Sequence, residues 1–178
     1  MVRKNNSTTA LAHITGSNVY PDVNGYVSFS GMKNGVLVTS EIRGLPDSHG
    51  HGIYAFHIHN GTACTGDAED PFADADGHYN PDEAMHPYHA GDLPPLFSNN
   101  GYAYMSVFTD RFNIGEIIGR VIIIHKNTDD FTTQPSGNSG TKIACGKIFL
   151  QKNMNEKFSE NADYCNKTQK MPLTPFGM

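Results

Sequence analysis

Apolar and polar residues alternate over short stretches along most of this chain. That two-residue period belongs to half-buried strands, and the 3.6-residue period of a helix is scarce. Ala10 to Thr15 alternates in this way and Gly25 to Phe29 repeats it. Gly35 to Ile42 (G-V-L-V-T-S-E-I) predicts a third strand, with M-K-N-G before it as a hairpin turn signal. Ile53 to His59, Tyr102 to Phe108, Arg120 to His125 and Lys142 to Leu150 predict four more. From His59 to about Asn100 the pattern stops, and the residues are rich in Gly, Asp, Pro and His. An irregular stretch that long inside a domain is usually functional or disordered, and its ligand-type side chains favour function. A second loop, N-T-D-D-F-T-T-Q-P-S-G-N-S-G, leads into the last strand. The fold class expected is all-β: a flattened Greek-key barrel or sandwich of about eight antiparallel strands with long ligand-bearing loops.

The chain has 178 residues, which fits one domain with appended segments. The alternation places an N-terminal segment at 1–9, the barrel at 10–152 and a polar C-terminal extension at 153–178, docked or flexible. A net charge of −5 with no basic cluster disfavours nucleic acid as a partner. No apolar run approaches the roughly 20 residues of a membrane span. The start, M-V-R-K-N-N-S-T-T, has no apolar stretch behind its basic flank, so no signal peptide is visible. That leaves a cytoplasmic protein, or a secreted or cell-envelope one whose leader has been removed.

The three cysteines are Cys64, Cys145 and Cys165, and none forms a C-x-x-C pair. Two of them can make one disulfide. A bridge from Cys64, in the histidine-rich loop, to Cys145, in the strand I-A-C-G-K-I, would pin that loop to the barrel wall; two buried thiols are the alternative.

Six of the nine histidines, with one aspartate, stand at spacings that suit two metals. His57 and His59, as H-I-H on a strand, present two imidazoles from one face. His125, ending R-V-I-I-I-H, can add a third nitrogen. Such an all-imidazole set suits copper(II). His86, His89 and Asp92, in M-H-P-Y-H-A-G-D-L, make a zinc-type set that needs one more nitrogen. His78, in G-H-Y-N-P, lies between the groups, and with both ring protons gone one imidazolate can hold both metals.

A-F-H-I-H, C-T-G, G-H-Y-N-P, H-P-Y-H-A-G-D-L, I-I-G-R-V-I-I-I-H and G-N-S-G-T-K-I-A-C-G-K-I together resemble the copper–zinc superoxide dismutase family in order and spacing. The likeness runs from about Ala10 to Leu150 and implies a Greek-key β-barrel binding one copper and one zinc. It implies that His57, His59, His78 and His125 are the copper ligands, that His78, His86, His89 and Asp92 are the zinc ligands, and that His78 is a catalytic bridge. It implies a Cys64–Cys145 disulfide. It also makes Asp129 the carboxylate behind the metals, with contacts to His57 and His86 expected. The implied activity is disproportionation of superoxide to oxygen and hydrogen peroxide. A non-catalytic or weakly active copper/zinc-binding barrel is the alternative, and a homodimer is left open.

Three departures from the family pattern stand out. Lys142 occupies the position of the family's active-site arginine, keeping the charge but losing the planar fork, so a slower enzyme is expected. Tyr54 and Ala55 replace the His-Gly of H-G-F-H-x-H; the tyrosine is expected to pack and hydrogen-bond instead. The loop from His125 to Lys142 is short and carries little positive charge, so electrostatic steering should be weak. His49 and His51, in S-H-G-H-G, read as a solvated loop, with an accessory metal-uptake pair as the alternative. His13 reads as a barrel-surface residue.

Overall fold

The alternating stretches form strands that pair edge to edge all the way round. The computed structural model describes residues 9–47 and 50–151. Its strands are β1 (Thr9–Gly16), β2 (Asn24–Met32), β3 (Gly35–Arg43), β4 (His51–His59), β5 (Asp92–Asn99), β6 (Tyr102–Thr109), β7 (Val121–His125) and β8 (Lys142–Leu150). They close into a barrel in the order β1-β2-β3-β6-β5-β4-β7-β8, and every pair is antiparallel. The chain's crossings from β3 to β4 and from β6 to β7, each passing over two strands, are the long connections of a Greek key. Among the described residues no helix is long and apolar enough to cross a membrane.

The strand period decides what fills the barrel. Ala10, Ala12 and Ile14 of β1 point inward with Val27 and Phe29 of β2 and Val36, Val38 and Ile42 of β3. Phe29, Phe56 and Ile122 have no exposure, and burying each contributes roughly 1.5–3 kcal/mol. His13 stays exposed on the outer wall, stacked on Tyr26 with 4.9 Å between ring centroids.

One strand was hidden in the sequence. The segment read as irregular up to Asn100 contains β5, whose Pro94 and Pro95 break the alternation and supply no N–H to a ladder. β5 accordingly pairs with β6 only at Ser98↔Ala103 and Asn99↔Tyr102, while its other side runs along β4. A 3₁₀ turn at Ala73–Ala75 and a single helical turn, α1 (Ile114–Ile117), are the other elements the pattern did not announce; Asn113 and Glu116 form the capping box of α1.

Tyr54 takes the packing role expected of it. It is buried in β4 and its hydroxyl donates to Asp47 Oδ1 at 3.0 Å. Asp47 Oδ2 accepts from Ser98 Oγ and the Gly101 N–H, so one carboxylate joins β4 to the turn between β5 and β6.

β4 and β7 are buried on both faces, and that sets up the site. Phe56, Ile58, Ile122 and Ile124 face the core. On the outer face, Val121, Ile123 and Cys145 pack under Phe72 and Ala75 of the long loop. His57, His59 and His125 share that outer face by the two-residue period, so they lie between the barrel wall and the loops that cover it.

Candidate metal centre

Two groups of donors converge under the loops. His57, His59, His78 and His125 form one, and His78, His86, His89 and Asp92 the other; within each group the candidate ligand atoms lie within 4.8 Å of one another. The strands bring the first group together, because β4 carries His57 and His59 and pairs directly with β7, which ends in His125. His78 joins them through a bridge to His59, with its ring centroid 4.1 Å from that of His57. All the sequence-predicted ligands are therefore in one place, and none is left outside.

Hydrogen bonds on the far side of each ring fix which nitrogen faces inward. His59 Nδ1 donates to the Asp76 carbonyl at 2.7 Å and His125 Nδ1 to the Gly140 carbonyl at 3.2 Å. His57 Nε2 and His86 Nε2 donate to the two oxygens of Asp129, at 2.9 and 2.8 Å. The inward atoms that remain are lone pairs. His59 Nε2 and His125 Nε2 face each other at 3.1 Å, and with both rings already donating through Nδ1 neither holds a proton to give. His57 Nδ1, His78 Nε2 and His86 Nδ1 are buried without a hydrogen-bond partner. A buried acceptor left unpaired costs free energy, so several gathered in one buried site fit the binding of cations.

The second group has the complementary character. Asp92 Oδ1 lies 2.7 Å from His78 Nδ1, and Asp92 Oδ2 lies 3.0 Å from His86 Nδ1 and 3.3 Å from His89 Nδ1. Three ring nitrogens and a carboxylate are a normal closed zinc set, and the imidazole-only first group suits copper. The residues present fit both metals.

Sequence reasoning missed several supports, because they act through backbone or space. The Asp76 and Gly140 carbonyls set two tautomers, and no residue type signals a carbonyl. Gln134 clasps the backbone of His86, accepting from its N–H at 3.0 Å and donating to its C=O at 2.8 Å. Arg111 Nη1 donates to the carbonyls of Pro87, His89 and Asp92, gathering the zinc-type loop. Gly137, at φ +65°, leaves the room in which Asp129 meets His86; a Cβ there would sit 1.9 Å from Asp129 Oδ1. The Cys64–Cys145 disulfide is formed across a separation of 81 residues. His51 heads β4 in an exposed position against Asn99; His49, Cys165 and the 153–178 extension lie outside the described residues.

Burial holds four of the histidines neutral. It pushes His57 and His89 below the ordinary value, His59 well below it, and His125 down to about 3, where the charges of His57, His78 and Lys142 add to the effect. For Asp129, burial works upward, but hydrogen bonds from His57, the Phe131 N–H and His86 outweigh it and keep the carboxylate ionised. Asp92 is likewise held low, burial being outweighed by His78 and the other neighbouring imidazoles. The unfolded chain takes up protons near pH 6.5 that these four folded histidines accept only at lower pH, so stability falls as pH falls. Each such proton steepens the loss by about 1.4 kcal/mol per pH unit, and the two carboxylates add to it below about pH 4. The metal-free protein should show a urea midpoint that drops steadily from pH 7 to pH 4; a flat midpoint would contradict this account.

A surface pocket of about 430 Å³ opens over the first group, lined by His59, His78, His125, Asp76 and Lys142 among others. Lys142 therefore stands at its mouth, with its ammonium bonded to Asp70.

Comparison with known proteins agrees with the geometry. Residues 23–148 match the family model for copper/zinc superoxide dismutase. The chain is similar to the copper–zinc superoxide dismutase of Legionella pneumophila, with 33% identity over 79% of this chain and 85% of that protein. It is 32% identical to copper–zinc superoxide dismutase 1 of Salmonella typhimurium, over 78% of this chain and 82% of the relative. The corresponding enzyme of the nematode Onchocerca volvulus is 30% identical over 81% and 97%. The family match runs from the start of β2 into β8 and takes in every proposed metal ligand, and the chain belongs to the copper/zinc superoxide dismutase family.

Proposed function

We propose that the protein disproportionates superoxide to oxygen and hydrogen peroxide, with His57, His59, His78 and His125 holding copper, and His78, His86, His89 and Asp92 holding zinc. Residues 10–152 form the working domain in this reading, with 1–9 and 153–178 as flanking segments. The observation that carries it is the proton-free approach of His59 Nε2 and His125 Nε2, which needs a cation between them.

When bound, copper supplies one-electron chemistry between Cu(II) and Cu(I), oxidising one superoxide and reducing a second, with two protons consumed. The chain's residues do the rest. His78 offers one nitrogen to each donor set, and its buried Nε2 has no hydrogen-bond partner. That atom could hold one of the two protons the reaction consumes and pass it to the substrate. Asp92, against His78 Nδ1, keeps the ring in place while this happens. Asp129 fixes His57 and His86 so that their lone pairs stay aimed inward. Lys142 is the cationic side chain among the pocket's lining residues, a point charge that grips a bound anion less well than a planar guanidinium.

The test is metal content and the Cu(II) paramagnetic resonance spectrum, read beside superoxide consumption. Full copper occupancy without dismutation would select the non-catalytic barrel. Lys142→Arg should raise turnover by about fivefold, the worth of roughly 1 kcal/mol of added anion contact; an unchanged or lower rate removes that role from residue 142. A homodimer is the assembly to check, by light scattering.

A further inference from the structure

The lysine at the mouth of the copper site is not free to meet an anion. Its Nζ donates to Asp70 Oδ2, and its side chain is 17% exposed against 39% for the aspartate. We propose that Asp70 is a brake on the copper site: it draws the Lys142 ammonium toward the disulfide loop and cancels its charge at the pocket, lowering affinity for small anions, superoxide included. The proposal rests on the reading of Lys142 as the anion-attracting residue.

The carboxylate is fixed by contacts that do not involve the lysine. Asp70 Oδ1 accepts the Phe72 N–H at 3.1 Å. The Asp70 carbonyl accepts the N–H groups of Asp67 and Ala73, and its own N–H donates to Asp67 Oδ1. Phe72 is buried against β7, and the disulfide ties Cys64, six residues before Asp70, to Cys145, three residues after Lys142. The turn thus stands without Oδ2, whose hydrogen-bond partner among the described residues is Lys142. An ion pair whose acceptor is already held in place gives up less side-chain freedom than an ordinary surface pair, so it persists where most surface pairs contribute little.

The charge balance at the mouth supports a brake. Apart from imidazoles, the charged residues lining the pocket are Lys142 and Asp76; Asp70 is not part of the lining. The ammonium is therefore bonded away from the space where the anion must sit. The loop from Asp67 to Asp76 carries Asp67, Glu69, Asp70, Asp74 and Asp76 and no Lys or Arg. With Asp70 paired to the lysine, the mouth has no net positive charge to concentrate anions. If Asp70 instead aimed Lys142 productively, removing it would slow the enzyme, and this difference in sign decides the matter.

Asp70→Asn keeps an oxygen for the Phe72 N–H and removes the charge; Asp70→Ser, whose hydroxyl can accept from the same N–H, is the second variant should the first fail to load metal. The full chain, checked for one copper and one zinc, is titrated with azide, read by the Cu(II) absorption and resonance spectra, and its superoxide kcat/KM is followed against ionic strength. Removing the carboxylate should tighten azide about 3- to 10-fold, raise kcat/KM similarly and steepen its fall with salt. In a Lys142→Gln background the same change should do little. Looser azide, an unchanged affinity, or an equal gain without the lysine overturns the brake. If Lys142→Gln costs no azide affinity in the Asp70→Asn background, where the ammonium is released, the lysine's role falls and the brake with it. If Lys142→Gln weakens azide but Asp70→Asn does not tighten it, the brake alone is wrong.

Discussion

Asp129→Asn should weaken copper binding by about 10- to 100-fold while leaving zinc binding within a few-fold of wild type, the usual effect of losing a hydrogen-bond partner behind a metal ligand. Asp129 Oδ1 accepts from His86 Nε2 and the Phe131 N–H, and Oδ2 accepts from His57 Nε2. An asparagine keeps its single oxygen where two donors meet, which turns its NH₂ toward His57. Two donors then face each other in a buried site. His57 can relieve this only by moving its proton to Nδ1, the atom that otherwise offers its lone pair to copper. Gly137→Ala strikes the same carboxylate from the other side: its Cβ would lie 1.9 Å from Asp129 Oδ1 and 2.7 Å from His86 Nε2, in a left-handed conformation that a side chain disfavours. Zinc should suffer first in that variant. Competition titrations with chelators for each metal check both; equal losses of copper and zinc in Asp129→Asn would refute the assignment of its two oxygens.

Replacing both Cys64 and Cys145 with serine should lower stability by about 3–5 kcal/mol, the range for a cross-link closing a loop of 81 residues. The bridge holds the loop whose Phe72 and Ala75 cover the outer face of β7. The same loop carries the Asp76 carbonyl that orients His59, and the Asp70 carboxylate that binds Lys142. The zinc-type ligands take their support from Asp129, Gln134 and Arg111, outside that loop. Copper affinity should therefore fall further than zinc affinity in the double variant. Urea unfolding of the metal-free proteins gives the first quantity. A loss below about 1 kcal/mol would mean that the unfolded chain is already compact across that span.

The strands were legible where side chains alternate. Seven appear in the sequence, most of them because one face lies in the core and one outside, which writes period two into the residue types; β4 and β7, buried on both faces, appear instead as short apolar runs. β5 did not, because its two prolines interrupt the pattern and it needs few ladder bonds on its β6 side. Every proposed metal ligand was legible too, since imidazole and carboxylate advertise their chemistry by type. The parts that hold those ligands were silent. Backbone carbonyls at Asp76 and Gly140 belong to no residue type, and Gly137 matters for the Cβ it lacks. Arg111 looked like any surface arginine until the fold brought three carbonyls around it.

Sequence alone determined the kind of chemistry available and its local order: which side chains can donate to a metal, and that His57 and His59 must share a face, because two residues is the strand's own repeat. Tertiary structure decided convergence and charge. It brought His125 to His59 by the pairing of β7 with β4, aimed the lone pairs through bonds to distant backbone, and placed Asp70 on Lys142 across 72 positions of chain. The cause is the range of the forces involved. Side-chain identity and strand period are fixed within a few bonds, whereas a hydrogen bond or ion pair acts over about 3 Å between atoms that only packing and register can bring that close.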